Sequence, residues 1–299
     1  METVSNATPP EHCKEYVPAL DRFQNQLSSV ALDRDVNLFW ECAPYFLELL
    51  SSDFFPRFIN HKLERILQEP EYLPSAPDFF QIFVLQTPYY NLHIKIISPT
   101  MEPQKYVYSL TDHMMIGFLP PSSAVIELFH QPASIPNDHF DPARRLQKFG
   151  QLSIGPNDHI KFRSGQDLFR IIRNEGPLIA LILRSSQVLR FCWEYDAETL
   201  QPVEIMAGDL MASRMQFAAE ALGHLGNDES LAILRDLLEH EDHFLRWQAV
   251  QSAFGIDYSI AIELLQKCIS DAHPHVRRAA LKSLNSLPAK FKPEKTPWL

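Results

Sequence analysis

The sequence predicts a mixed fold in three parts. These are a mobile N-terminus with a helical cover over residues 1–76, a β-barrel of the jelly-roll type over 77–203, and an all-α repeat block over 213–299 behind a linker at 204–212. Three observations predict it. Apolar residues recur at helical spacing between Tyr16 and Leu67. The period then drops to two, in short β-branched and aromatic runs cut by turn signals. Beyond Ser213 helical segments return, and they resemble one another at an interval near 31 residues.

The polar, Pro-containing opening to about Glu11 reads as mobile. Tyr16, Leu20, Phe23 and Leu27 then fall on one helical face, as do Leu38, Phe39, Cys42, Tyr45 and Leu49, and a third segment carries Phe58, Leu63 and Ile66. Asp53 suits an N-cap and Pro56 an early helical position ahead of that third segment. Such helices cover a sheet face, build a dimer surface or act as a lid over a pocket.

After the turn-rich 69–78, the runs 79–85, 90–97, 105–110, 114–119 and 124–130 read as strands, the last two split by Pro120-Pro121-Ser122-Ser123. A polar loop, 131–145, precedes the stretch Leu152 to Leu183, where turns at Gly155-Pro156, Ser164-Gly165 and Gly176-Pro177 separate three more runs. With 189–195 the strands are numerous enough for a closed or nearly closed antiparallel jelly roll.

A chain of 299 residues, 45% of them hydrophobic, can bury a large core or two smaller ones. The formal charge of −10 argues against a broad nucleic-acid footprint. No apolar run approaches the roughly 20 residues that cross a membrane, and no secretory signal opens the chain, so the expected address is cytoplasmic. Cys13, Cys42, Cys192 and Cys268 are widely spaced and read as reduced structural thiols.

The segments 109–129 (`SLTDHMMIGFLPPSSAVIELF`) and 152–174 (`LSIGPNDHIKFRSGQDLFRIIRN`) resemble the cupin superfamily, especially its thiol-dioxygenase branch. That resemblance implies a His-x-His pair, a following acidic residue and a later histidine around a non-heme iron. His113 stands at the second histidine and Glu127 near the acidic position, while Thr111 and Phe169 occupy the other two histidine positions and Asn174 keeps the trailing asparagine. A rearranged site would recruit His93, His113 and Glu127 as metal ligands, with Fe2+ or another divalent ion as cofactor. Tyr108 and Arg170 are the catalytic candidates, because alternate strand positions share one face. His113 equally suits a buried, hydrogen-bonded structural role.

In the C-terminal part, segments beginning at Arg214, Arg246 and Arg277 match one another at intervals of 32 and then 31 residues. They resemble HEAT repeats, most clearly in 271–287, where an Asp and a Val-Arg turn precede an Ala/Leu-patterned helix. Ala219, Ala249 and Ala280 allow close helix stacking. Arg246 and Arg277 read as repeat-stabilising, and His240, His243, His273 and His275 as exposed or turn residues.

Two functions follow. The first is an atypical cupin-type metal-dependent oxidoreductase or oxygenase, acting on a small molecule or on a peptide or carrier-bound substrate held by the repeats. The second is a noncatalytic ligand-binding or protein-interaction protein in which Phe169 fills the former metal position. The first leads, because metal sites can migrate around a barrel. Expected partners are a small-molecule substrate, a protein, peptide or carrier protein on the repeats, and a second copy of the chain, with no nucleic acid and no membrane.

Overall fold

A computed structural model describes residues 18–30, 36–69, 71, 81–87, 89–99, 102–132, 138–186 and 188–287. The opening to Glu11, most of the turn-rich stretch before residue 81 and the tail past 287 lie outside them. The chain divides into two compact units, Met1–Gly208 and Asp209–Leu299.

The first unit opens with α1 (Pro18–Val30), α2 (Val36–Phe39), a 3-10 turn at Trp40–Cys42, α3 (Ala43–Ser51) and α4 (Phe54–Gln68). Asp53 stands at the N-cap of α4, as expected, but its side chain does not cap. It pairs instead with Arg57 one turn on, while the Ser52 hydroxyl accepts from the Phe54 amide at 3.1 Å. Serine and aspartate are both good capping residues, and here the serine sits where its oxygen meets the orphan amide.

Eleven strands follow among the described residues: β1 (Gln81–Gln86), β2 (Tyr90–Ile97), β3 (Tyr106–Tyr108), β4 (Met114–Leu119), β5 (Ala124–His130), β6 (Gln147–Ile154), β7 (His159–Phe162), β8 (Asp167–Arg173), β9 (Leu178–Ser185), β10 (Phe191–Asp196) and β11 (Pro202–Ala207). They do not form the expected jelly-roll barrel. Their antiparallel ladders fall into three sheets, β1-β2-β9-β4-β7, β6-β5-β8 and β11-β10-β3. Closure needs one continuous ladder, and among the described residues β7 and β6 remain edge strands of different sheets.

Alternation sorts the side chains into three apolar layers. Met115, Leu119, Leu181, Leu183, Leu92 and Ile94 pack one face of the five-stranded sheet against Leu20, Phe23, Phe46, Leu50, Phe54 and Phe58 of the helices. Gly117 keeps that approach close, since a Cβ there would lie 2.8 Å from Leu50. Its other face, through Met114, Ile116, Phe118, Phe162, Ala180 and Ile182, meets Ala124, Ile126 and Ile154, with Leu128, Phe169 and Ile171 half-buried at the margin. The far side of the β6-β5-β8 sheet sends Phe129 and Leu168 against Val107, Trp193 and Tyr195.

The second unit is helical: α5 (Leu210–Leu225), α6 (Ser230–Leu237), α7 (His243–Ile256), α8 (Tyr258–Lys267), a 3-10 turn at Cys268–Ser270 and α9 (Pro274–Ser286). Ala219, Ala249 and Ala280 are all buried in its core with Leu234, Val250, Leu264 and Leu265. Small residues let backbones touch: a Cβ on Gly255 would fall 2.0 Å from the Gly223 carbonyl oxygen, so α5 and α7 cross at a glycine pair. No described helix is long and apolar enough to cross a membrane.

Candidate functional site

His113 sits just before β4, on the side of Met115 and Gly117, and so faces the helices. Its ring lies 6.2 Å from Phe39 and 5.2 Å from Trp40, centroid to centroid. Its amide donates to the Ser185 hydroxyl at 3.0 Å, and its Nδ1 accepts the Ser164 amide at 3.0 Å. A neutral imidazole has one donor and one acceptor nitrogen, so an accepting Nδ1 leaves the proton on Nε2. Burial lowers the His113 pKa, Asp167 opposes this and Arg163 adds to it, so the neutral form is favoured. The neighbouring Asp112 is pinned by both Nε and Nη2 of Arg184, at 3.0 and 2.9 Å.

Glu127 lies on β5 with Arg170 directly opposite on β8. Both project to the side of Phe129 and Leu168, toward the β11-β10-β3 sheet. Glu127 is 1% exposed; Arg170 donates to its Oε2 at 2.7 Å, and Lys148 closes on its Oε1 from the surface. Arg170 also donates to the Gln104 carbonyl at 3.1 Å and to Glu198 at 2.9 Å. Burial pushes the Glu127 carboxyl up, but the bonds from Lys148 and Arg170 outweigh it and hold the pKa below the ordinary carboxylate value.

Phe169 points the opposite way, into the layer between the sheets, where its ring stacks on Phe162 at 4.6 Å. His93, buried on β2 between Leu92 and Ile94, sits on the sheet face opposite to them, beside Ile182 and 6.0 Å from the Phe83 ring. His93, His113 and Glu127 are thus set on three different faces, and they do not form a group with ligand atoms within 4.8 Å of one another. Tyr108 is half-exposed on β3 and donates to Glu194 at 3.3 Å. Of the named residues, only Glu127 and Arg170 are brought into contact.

A cleft of about 550 Å³ opens beside this network. Leu128, Phe129 and His130 of β5, Gln147 to Phe149 of β6, Ile160 to Phe162 of β7, Arg163, Asp167 and Leu168 line it, with Trp40 completing the wall.

In the second unit Arg246 and Arg277 perform one repeated task. Each donates through Nη1 to carbonyls six and five residues earlier: Arg246 to His240 and Glu241 at 2.8 and 3.0 Å, Arg277 to Asp271 and Ala272 at 2.7 and 2.8 Å. Arg246 also grips Asp271 at 2.7 and 2.6 Å, tying one repeat turn to the next. His243 and His273 stack at 3.7 Å, and the His273 Nδ1 accepts the His275 amide, so His273 is a turn residue that caps α9, and it is buried there.

A family model described as HEAT repeats matches residues 214–285. No curated protein matches the chain in sequence. Among solved structures, hydroquinone 1,2-dioxygenase from Sphingomonas sp. TTNP3 with 4-hydroxybenzoate bound is 12% identical, over 37% of this chain and 67% of that one, with a TM-score of 0.27. An uncharacterized conserved protein with a double-stranded beta-helix domain from Klebsiella pneumoniae is 13% identical over 40% and 86%, with a TM-score of 0.24. The DMSP lyase DddQ from Ruegeria pomeroyi DSS-3 is 13% identical over 37% and 50%, also at 0.24. The likeness to cupin-superfamily proteins is therefore weak.

Sequence reasoning passed over Trp40, Lys148, Phe149, Lys161 and Asp167, which line the cleft or neutralise its neighbours. Lys148 was hidden because it lies on β6, an exposed strand whose pairing with β5 only the structure shows.

Proposed function

We propose that this chain is a noncatalytic binding protein, in which the sheet-rich unit is a packed support and the repeat unit presents a surface for a protein partner. One observation carries it: the Phe162–Phe169 stack at the margin of the apolar layer, at the position where the resemblance would put an iron-binding histidine. Phenylalanine offers no lone pair.

The remaining residues do not fit an iron of that kind either. A ligating histidine presents a bare nitrogen to the metal while its other ring N–H donates to a fixed partner. His113 has the reverse arrangement, an accepting Nδ1 and a protonated Nε2. Glu127 has both oxygens engaged by cations.

On the repeat unit, Phe217 is 73% exposed, and Ile233, Leu225 and Leu281 are exposed as well. Apolar side chains set out on stacked helices are what a repeat scaffold offers to a protein surface. The test is association of a purified partner with the full chain and with a chain ending at Gly208. The expected result is loss of binding with the shorter chain, and retained binding to residues 1–208 overturns the assignment.

A further inference from the structure

We propose that the cleft between β5, β6 and β7 binds a monocarboxylate with an apolar body, whatever protein the repeat unit recognises. Three independent features point to such a ligand.

The first is the lining. A cleft of about 550 Å³ lies within the usual size of small-molecule sites, roughly 300–1,000 Å³, and its walls are mainly aromatic and aliphatic: Trp40, Leu128, Phe149, Ile160 and Phe162.

The second is a backbone irregularity that serves the cleft. In the β5–β6 ladder Leu128 pairs with Gly150 and Phe129 with Lys148, so Phe149 is the extra residue of a β-bulge. Gly150 takes φ +147, a conformation that side-chain-bearing residues rarely adopt, and a Cβ there would meet nothing within 4 Å; the backbone angle, not space, calls for glycine. Bulges re-aim side chains. This one leaves Phe149 82% exposed at the cleft, a large apolar ring with little packing of its own.

The third is charge. Lys148, Lys161 and Arg163 line the cleft with a single carboxylate, Asp167. Arg163 pairs with Asp167 at 3.1 Å and Lys148 with the buried Glu127. Lys161 makes no ion pair among the described residues and lies 6.0 Å from the Trp40 ring centre. One positive charge is left over, in a chain whose net charge is −10. A surplus of one cation beside an aromatic wall matches one carboxylate on an apolar chain or ring, and not a dianion or a cation.

The test is calorimetry on the full chain with decanoate, decanol and decylammonium, each below its aggregation concentration. Decanoate should bind one per chain, at least tenfold more tightly than decanol, with decylammonium giving no binding. Lys161→Ala, at an exposed site whose thermal stability should stay at the wild-type value, should weaken decanoate at least fivefold and leave decanol unchanged; Phe149→Ala should weaken both. Equal binding of decanoate and decylammonium, or full decanoate affinity in Lys161→Ala, overturns the proposal. The repeat-unit reading stands or falls separately, on the chain ending at Gly208.

Discussion

Glu127 anchors a buried ion network on β5. Its carboxylate is buried, and two cations hold it ionised. Breaking a buried pair by deleting one partner costs about 3–5 kcal/mol, because the other charge is left unpaired. Glu127→Ala should therefore lower urea stability by about 3 kcal/mol, since Arg170 keeps only the exposed Glu198 and the Gln104 carbonyl, and a double variant Glu127→Leu/Arg170→Met should recover much of it. The pH dependence follows from the depressed pKa. Its stabilisation is present above the ordinary carboxyl value of 4.5 and is lost as pH falls through the lower folded value. Unfolding curves between pH 7 and pH 3 should then show wild type and Glu127→Ala converging toward acid; a constant gap would remove the pair from the account. The family resemblance made Glu127 and His113 visible in the sequence. It could not show that the Nδ1 of His113 accepts the Ser164 amide, because that bond joins residues 51 positions apart.

At the scale of elements, periodicity was a good guide wherever a strand or helix buries one face. β4, buried along its whole length, and β9 stand out as apolar runs, and the repeat helices announce themselves by the recurring Arg and Ala positions. β6 escaped because seven of its eight residues are not buried and a bulge breaks its period. β11 escaped because only Pro202 of its six residues is buried. Closure into a barrel was illegible for another reason: strand count does not fix pairing, and β9 reaches back to both β2 and β4. In the helical unit the glycine crossing is sharply testable. Gly255→Ala places a methyl 2.0 Å from the Gly223 carbonyl oxygen, and overpacking of this sort costs about 1–3 kcal/mol. Circular dichroism of the full chain should show earlier loss of helix; an unchanged melt would mean that α5 and α7 can separate freely. Arg246→Met should act in the same direction, since it removes both the Asp271 fork and two carbonyl caps.

On the scale of the whole molecule, the chain divides between Gly208 and Asp209, just after β11. Limited proteolysis should release two resistant cores with the first cut near that junction, read by mass spectrometry of the fragments. A single core resisting as one piece would contradict the division. In the sheet-rich unit Phe169 stacks on Phe162 and the Nδ1 of His113 accepts the Ser164 amide. The most direct measurement is iron and zinc content per chain after purification without a metal-binding tag, repeated after ferrous iron is added, for wild type and His113→Ala. The two proteins should carry the same metal content in both conditions, because the His113 Nδ1 is occupied by the Ser164 amide. One equivalent of iron per chain in wild type that disappears in His113→Ala would contradict it.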